Sequence, residues 1–225
     1  MDQLDWRNIK LVVFDVDGTM YNQKRLRQKM FFSLISYYLP RPLRWSELRI
    51  LKTFREEREN HKSRPTADLQ HDQYVWCQTK TGKDIERIKK VVKHWILEYP
   101  LRLLHKLVYP GLHELFAVLN KAGIPVAVLS DYPAEEKMRA MDLQADLVID
   151  AADKRVNALK PDPAGLKFIA EYFKTDTRNI VFIGDREDTD GEAARRIKMQ
   201  CIVIDKKKIY NKNYFRNLAE QIATR

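Results

Sequence analysis

Five short apolar runs alternate with amphipathic segments along this sequence, and this alternation constrains the fold more than any other feature. Short, continuous apolar runs are typical of strands buried on both faces of a parallel sheet. The runs lie at 11–14, 125–129, 147–149, 180–183 and 202–204. Because helical patterns separate the later runs, the sequence predicts an α/β fold with a doubly wound parallel sheet.

The stretch between the first two runs differs, because its apolar residues recur at helical spacing. Four helices are predicted there, at 25–39, at 47–59 with Ser46 as the N-cap, at 66–78 and at 84–98. The predicted inner faces include Leu26, Met30, Phe31, Leu34, Ile35 and Tyr38 in the first helix, and Leu48, Leu51 and Phe54 in the second. The sequence therefore predicts an all-helical module over residues 21–107, inserted into a core made of residues 1–20 and 108–225.

The excess of basic over acidic residues in the chain lies entirely in this helical module. The 225 residues carry a net charge of +10. Residues 20–109 hold 20 Lys and Arg against 9 Asp and Glu, whereas the remainder holds 21 basic and 22 acidic residues. Such an excess is typical either of a solvated helical surface or of a surface that attracts an anionic partner. A second basic tract, at 206–208, predicts a solvated loop.

Cysteine content and hydropathy indicate the compartment. Cys77 and Cys201 are the two cysteines, and they suggest neither a disulfide framework nor a zinc site, which favours the reducing cytoplasm. No apolar run reaches the length needed to span a bilayer, and residues 1–6 lack the basic-then-apolar pattern of a secretion signal. We therefore expect a cytoplasmic protein without a membrane span.

Two carboxylates and a glycine turn follow the first apolar run. Asp15 and Asp17 stand two residues apart, so they point the same way if the strand geometry persists. Carboxylates this close repel each other unless a cation neutralises them, and Mg²⁺ prefers such oxygen ligands. Gly18 permits a tight turn, and Thr19 offers a hydroxyl and an amide that suit an oxyanion. This stretch predicts a metal and anion site.

Three further polar groups occur where the predicted architecture would put a site. Ser130 ends the second run and Asp185 follows the fourth. Lys160 precedes Pro161-Asp162-Pro163 at the start of a predicted helix, where a cation and helix-terminal amides can face an anion. Because ligands bind outside the carboxyl ends of the strands in such sheets, we expect these groups to lie near Asp15.

Four motifs stand in order along the chain: Asp15-Val-Asp-Gly-Thr, Ser130 after Ala127-Val-Leu, Lys160-Pro-Asp-Pro, and Gly184-Asp-Arg-Glu-Asp-Thr-Asp190. With this ordered set the sequence resembles the haloacid dehalogenase superfamily, in its phosphatase branch that includes phosphoglycolate phosphatase-like enzymes. The resemblance implies a Rossmann-like core in which the helical module is a cap inserted between the first and second motifs.

The resemblance also implies a chemistry, namely Mg²⁺-dependent hydrolysis of a phosphomonoester through an aspartyl-phosphate. Asp15 would be the nucleophile and Asp17 the general acid and base. Mg²⁺ would be held by Asp15, the backbone carbonyl of Asp17 and Asp185, with Asp190 behind these ligands and Asp188 competing for that place. The phosphate would be bound by Gly18, Thr19, Ser130, Asp131 and Lys160.

Alternatives to this function remain open at the level of sequence. One is a phosphomutase that uses the same aspartyl-phosphate, and another is a phosphatase directed to nucleotides or nucleic acid by the basic module. A small, anionic phosphorylated metabolite is favoured over nucleic acid, because no nucleic-acid-binding motif is present. Asp17 argues against cleavage of carbon–halogen bonds, since haloacid dehalogenases themselves lack this second aspartate. Candidate specificity residues are Tyr21, Asn22, Lys62, Arg64 and Lys83.

Overall fold

Five parallel strands form a single sheet in the computed structural model, which describes residues 4–62, 64–205, 209 and 213–224. The strands are β1 (Leu11–Phe14), β2 (Val126–Ser130), β3 (Leu147–Asp150), β4 (Ile180–Gly184) and β5 (Gln200–Val203). Their order is β3-β2-β1-β4-β5, and Val13 of β1 pairs with Ala127 on one side and Phe182 on the other. The carboxyl end of β1 therefore lies at the middle of the sheet edge, between the ends of β2 and β4.

Ten α-helices accompany these strands in the described part of the chain. Between β1 and β2 lie α1 (Gln23–Tyr38), α2 (Ser46–Asn60), α3 (Leu69–Thr81), α4 (Ile85–Val92), α5 (Leu101–Leu104) and α6 (Leu112–Lys121). After β2 come α7 (Glu135–Ala140), α8 (Ala164–Tyr172), α9 (Glu192–Arg196) and α10 (Tyr214–Ala223). A π-helical stretch, Lys93–Glu98, continues α4, and another, Glu187–Gly191, precedes α9. Short 3-10 turns occur at Trp6–Asn8, Pro42–Arg44 and Thr177–Asn179.

Side chains of β1 alternate between two hydrophobic layers, one on each face of the sheet. Val12 and Phe14 belong to the layer that contains buried residues of α6 and α10. Leu11 and Val13 belong to the opposite layer, which contains buried residues of α8 and α9. Because successive strand residues point to opposite faces, a continuous apolar run is what a sheet covered on both sides requires. The predicted doubly wound α/β fold is confirmed.

Several details of the helices differ from the sequence prediction. Ser46 is the first residue of α2 and not its N-cap, because Trp45 already has helical backbone angles and precedes it as the cap. Phe31, Ile35 and Leu48 were predicted on inner faces but are exposed, although Leu26 and Met30 are buried as predicted. Apolar spacing cannot distinguish a face covered by protein from an exposed apolar face.

The last strand, β5, was predicted to be buried, but all four of its residues are only partly buried. It pairs with β4 alone and so forms an edge of the sheet. The tract 206–208 lies outside the described residues.

Helix α3 rests directly on the loops that follow β3. Leu69 is buried against Ala151 and Leu159. The Asn157 side chain accepts a hydrogen bond from the Leu69 backbone N–H at 2.7 Å and donates one to the Thr66 carbonyl at 2.9 Å. These contacts hold the helical segment at the carboxyl edge of the sheet, whereas its boundaries at residues 21 and 107 stay a prediction.

Candidate active site

Asp15 lies immediately beyond β1, at the centre of the sheet edge. Its backbone N–H donates to the Ile183 carbonyl at 2.8 Å, which continues the sheet pairing by one residue and fixes the direction of the side chain. The buried carboxylate accepts from Lys160 Nζ at 2.5 Å through Oδ1 and from Thr19 Oγ1 at 2.9 Å through Oδ2. Both of its oxygens are thus oriented by neighbours.

Two further carboxylates approach Asp15 from the end of β4. Oxygen atoms of Asp15, Asp185 and Asp190 lie within 4.8 Å of one another, and all three residues are buried. We call these three residues the acid cluster. Two glycines make room for it: a Cβ on Gly18 would lie 2.9 Å from Asp185 Cγ, and a Cβ on Gly184 would lie 2.5 Å from Asp190 Cγ. Gly18 also has a φ of +104°, which disfavours any other residue there.

Asp190 belongs to the acid cluster itself, closer to the centre of the site than the sequence indicated. Its Oδ1 accepts from Lys160 Nζ at 2.8 Å, and its Oδ2 accepts from the backbone N–H groups of Asp185 and Arg186 at 3.1 Å each. These bonds tie the π-helical turn to the end of β4, so that Asp190 positions both the lysine and the backbone of Asp185.

Asp188, which was expected behind the metal ligands, lies outside the acid cluster. Its carboxylate pairs with Arg186 at 2.6 Å, and its side chain is 67% exposed. Asp188 and Asp190 are two residues apart on a helical turn, which places them on roughly opposite sides of it. The spacing from Asp185 alone could not tell which acid points inward.

Burial and crowding of charge dominate the electrostatics of the acid cluster. Burial raises the pKa of Asp15 to about 8, Lys160 opposes this rise, and the carboxylates of Asp190 and Asp185 add to it. Burial also disfavours the ammonium of Lys160, but Asp15 and Asp190 outweigh it and raise the lysine pKa well above its ordinary value. Three buried carboxylates around one ammonium leave an excess of negative charge, which a divalent cation would compensate.

Asp17 turns away from the acid cluster and pairs with Lys137, a residue that the sequence did not single out. Lys137 Nζ donates to the two carboxylate oxygens at 2.6 and 2.7 Å, and the Tyr21 hydroxyl donates to Oδ1. Burial opposes ionisation of Asp17, but the charge and hydrogen bonds of Lys137, together with the hydrogen bond from Tyr21, outweigh burial and lower the pKa of the carboxyl. One feature of the sequence does place Lys137 near the site, because it lies on α7, the helix that follows Ser130 and β2.

Ser130 and Asp131 occupy the end of β2. Ser130 is buried, and its Oγ accepts from the Tyr132 backbone N–H at 3.3 Å. Asp131 Oδ1 accepts from the Lys160 backbone N–H at 3.1 Å. The Asp131 carboxylate therefore helps to fix the loop that carries Lys160.

Arg58 of α2 connects the helical segment to the site, and the sequence did not indicate it either. It is buried, donates to the Asp131 carbonyl and the Gln73 side chain, and lies 4.3 Å from the centre of the Tyr132 ring. Its position in a charged helical run predicts a solvated arginine, and only the tertiary structure reveals its burial.

A cavity of about 1270 Å³ extends from the acid cluster to the helical segment. Its lining includes the cationic residues Arg27, Arg55, Lys137, Lys160 and Arg186. Of the predicted specificity residues, Tyr21 lines this cavity, whereas Asn22 caps α1 by accepting from the Arg25 backbone N–H at 3.0 Å. The remaining candidates, Lys62, Arg64 and Lys83, are outside its lining; Lys62 Nζ lies 2.6 Å from Glu59 Oε2 and Arg64 is exposed.

The acid cluster fits a hard divalent cation such as Mg²⁺. Its side-chain donors are all carboxylate oxygens, the ligand type that Mg²⁺ prefers, and they converge from the ends of two adjacent strands. The excess of negative charge supplies the driving force, because binding a cation relieves the repulsion among the carboxylates, which adds to the effect of burial on the pKa of Asp15.

The chain matches one family of hydrolases over most of its length and several named phosphatases over a part of it. Residues 9–198 match the model of the haloacid dehalogenase-like hydrolases. A phosphoglycolate phosphatase of Pseudomonas savastanoi pv. phaseolicola is 24% identical over 144 residues, which are 63% of this chain and 51% of that protein. Another, from Haemophilus influenzae, is 24% identical over 119 residues, 50% of this chain and 53% of that protein. The chain thus spans about half the length of the curated relatives it matches.

Solved structures share the fold over nearly the whole chain. The β-phosphoglucomutase of Clostridium difficile superposes with a TM-score of 0.61 at 13% identity, over 96% of this chain and 98% of that chain. The 2-haloacid dehalogenase of Pseudomonas syringae pv. tomato gives 0.60 at 18% identity, over 87% and 86%. At these identities the likeness concerns the fold.

In the described part of the chain, no helix has the length and apolar character required to cross a bilayer.

Proposed function

Because this chain belongs to the haloacid dehalogenase-like hydrolases, we propose that it is a phosphatase that hydrolyses a phosphomonoester through an aspartyl-phosphate. One observation carries this proposal: Asp15, Asp185 and Asp190 converge with Lys160 at the carboxyl ends of β1 and β4. Relatives named phosphoglycolate phosphatase support the same reaction class.

In the first step, an Asp15 oxygen attacks phosphorus, the bond to the leaving oxygen breaks, and that oxygen takes a proton from Asp17. In the second step, Asp17 takes a proton from water, whose oxygen attacks phosphorus and breaks the bond to Asp15. The ion pair with Lys137 favours Asp17 as the general base of the second step, because it lowers the carboxyl pKa. An anionic phosphate beside Asp17 raises that pKa again and so favours Asp17 as the general acid of the first step.

We propose Asp15, Asp185 and the backbone carbonyl of Asp17 as ligands of Mg²⁺, with Asp190 next to them in the acid cluster. The bound ion would offset the repulsion between the Asp15 carboxylate and the phosphate. Lys160 stays charged beside Asp15 and Asp190, and it would bind a phosphate oxygen together with Ser130, Thr19 and the backbone at Gly18. Asp131 would act on the phosphate indirectly, by holding the Lys160 loop.

We further propose that residues 21–107 form a cap and that the substrate is a small, anionic phosphorylated metabolite. Arg27 and Arg55 of the helical segment line the cavity and can pair with an anionic group of the substrate, and the cavity volume of about 1270 Å³ accommodates a small molecule. Two links between the cap and the core support closure over the site: Arg58 on the Asp131 carbonyl, and Glu59, 3.3 Å from Arg186. Free thiols at Cys77 and Cys201 support the proposed cytoplasmic location.

Hydrolysis of p-nitrophenyl phosphate tests this proposal, measured with Mg²⁺ and with a chelator. We expect Mg²⁺-dependent turnover that Asp15→Asn lowers about a thousandfold or more, since residues that act as a unit have effects of this order. Asp188→Asn is the matched control, because it removes the same charge from an exposed position. Wild-type rates in Asp15→Asn would overturn the proposal. A panel of phosphorylated metabolites and nucleotides then identifies the substrate.

A further inference from the structure

The exposed apolar side chains of this protein are concentrated in one stretch of the helical segment. Among the described residues, eight large apolar side chains are exposed, and seven of them lie between residues 31 and 48. We name the following six the exposed apolar face: Phe31, Phe32, Ile35, Leu39, Leu43 and Trp45. Exposure reaches 69% at Phe32 and Leu39 and 94% at Leu43. A contiguous apolar surface of this kind marks an interaction site.

Helical spacing places the first part of this face on the side of α1 that points away from the protein. Phe32, Ile35 and Leu39 follow one another at three- and four-residue intervals and so share one side. Leu26 and Met30 are buried on the opposite side. The second half of α1 is thus apolar on both sides, a pattern that requires a second apolar environment.

The chain after α1 extends the same face. Trp45 Nε1 donates to the Tyr38 carbonyl at 2.8 Å, which holds the 3-10 turn Pro42–Arg44 against the end of the helix. Leu43 protrudes at the tip of this turn. Leu39, Leu43 and Trp45 are 69%, 94% and 54% exposed and project into solvent, so a deformable partner suits them better than a rigid one.

The segment of sequence that carries this face is basic and contains no acidic residue. From Gly18 to Ser46 the sequence contains no Asp or Glu but six basic residues: Lys24, Arg25, Arg27, Lys29, Arg41 and Arg44. Arg44 pairs with Glu47 at 3.0 Å, whereas Lys24, Arg25 and Lys29 are exposed and belong to none of the described ion pairs. A partner must therefore combine negative charge with an apolar interior.

We propose that the exposed apolar face binds the surface of an anionic phospholipid bilayer. Headgroup phosphates would face the cations of α1, while Leu39, Leu43 and Trp45 would enter the boundary between headgroups and acyl chains. Tryptophan favours this interfacial depth. A second copy of the chain fits less well, because a twofold interface would bring the same cations together with no carboxylate between them.

The position of the face relative to the candidate active site agrees with such docking. A second cavity, of about 670 Å³, runs beside α1 and is lined by Phe31, Phe32 and Lys24, and by Asp185 of the acid cluster. A bilayer on the exposed apolar face would lie at the mouth of this cavity. Binding itself does not depend on the proposed phosphatase activity and can be measured separately.

Vesicle co-sedimentation of the full chain tests this inference. The probes are vesicles of phosphatidylcholine alone and of phosphatidylcholine with an equal amount of phosphatidylglycerol. We expect the wild type to bind the phosphatidylglycerol vesicles preferentially and less at high salt. The double variant Leu39→Ser/Leu43→Ser should bind about tenfold more weakly or worse, since it removes two apolar anchors.

Matched controls keep this test decisive. Tyr172→Ser removes an apolar side chain that is 54% exposed on α8, outside the face, and should bind vesicles like the wild type. Arg25→Gln/Lys29→Gln should weaken binding, whereas Lys167→Gln, an exposed lysine on α8, should change it less than twofold. Thermal unfolding and circular dichroism identify variants that fail to fold.

Four results would overturn the inference. The first is a wild type that ignores phosphatidylglycerol vesicles, and the second is a Leu39→Ser/Leu43→Ser protein that binds them as tightly as the wild type. The third is a wild-type dimer that this double variant dissociates while no vesicle binding is seen, which would assign the face to a second copy. Salt-sensitive binding to duplex nucleic acid without vesicle binding would likewise reject the bilayer.

Discussion

Replacing Lys160 with methionine removes the ammonium from a buried group of three carboxylates. The side chain of Lys160 is 5% exposed, and its Nζ lies 2.5 Å from Asp15 and 2.8 Å from Asp190. Methionine keeps a similar volume, so the change is mainly one of charge. Breaking a buried ion pair from one side costs about 3–5 kcal/mol, because the remaining charge is left uncompensated. We expect this loss in the free energy of unfolding when divalent ions are absent.

The loss should depend on pH in a direction that Asp15 determines. Its pKa is raised to about 8 in the folded protein, from about 4 in the unfolded chain. Between these values the folded state holds a proton that the unfolded state has released, so stability falls as pH rises through this window. Without Lys160 the folded pKa rises further. The cost of Lys160→Met should therefore be small near pH 4 and largest above about pH 8.

Chemical denaturation followed by circular dichroism measures this cost, in chelator and in Mg²⁺. Saturating Mg²⁺ at about 100 times its Kd adds about 2.7 kcal/mol to any protein that binds it. The cation should raise the stability of Lys160→Met by more than that of the wild type, because it replaces the lost charge. Lys167→Met, at an exposed position, should differ from the wild type by less than about 0.5 kcal/mol. Equal stability of Lys160→Met and the wild type in chelator above pH 8 would show that the Lys160 ammonium does not stabilise the buried carboxylates.

Three further substitutions test the remainder of the site. Lys137→Met removes the charge that lowers the pKa of Asp17. The acid limb of the pH profile of kcat should therefore move to higher pH, and kcat should fall about a hundredfold. An unchanged profile would show that Lys137 has no part in the reaction. Tyr21→Phe removes a neutral donor from the same carboxylate, and its kcat should fall by less than that of Lys137→Met, since neutral hydrogen bonds are the weaker ones. Gly184→Ala places a Cβ 2.5 Å from Asp190 Cγ. We expect the free energy of unfolding in a denaturation curve to fall by about 1–3 kcal/mol and Mg²⁺ binding by calorimetry to weaken. An unchanged Mg²⁺ affinity would show that the Cβ does not displace the Asp190 carboxylate.

The sheet and the meeting of polar groups at its edge could be predicted because both follow from local patterns. A buried parallel strand must be apolar on both sides, as Leu11 to Phe14 are. Once the strands are parallel, their carboxyl ends share one edge, so Asp15 and Asp185 come together whatever the details of the loops. Gly18 leaves space for Asp185 and Gly184 leaves space for Asp190, so both glycines permit the acid cluster to form.

Residues that act through tertiary contacts could not be predicted in this way. Arg58 is buried because α2 meets the loop after β2, and no local pattern distinguishes it from a solvated arginine. Lys137 reaches Asp17 across 120 positions of sequence. The exposure of Phe31 and Ile35 likewise depends on which side of α1 the protein covers. The choice of Asp190 over Asp188 required the π-helical turn that points one acid inward.

The covalent intermediate is the most direct test of the proposed chemistry. Wild-type protein turning over a phosphomonoester with Mg²⁺ is quenched in acid, digested, and examined by mass spectrometry for a phosphorylated peptide. We expect phosphate on Asp15 in the wild type and none at this position in Asp15→Asn. Phosphate on another residue, or steady turnover by Asp15→Asn, would contradict it.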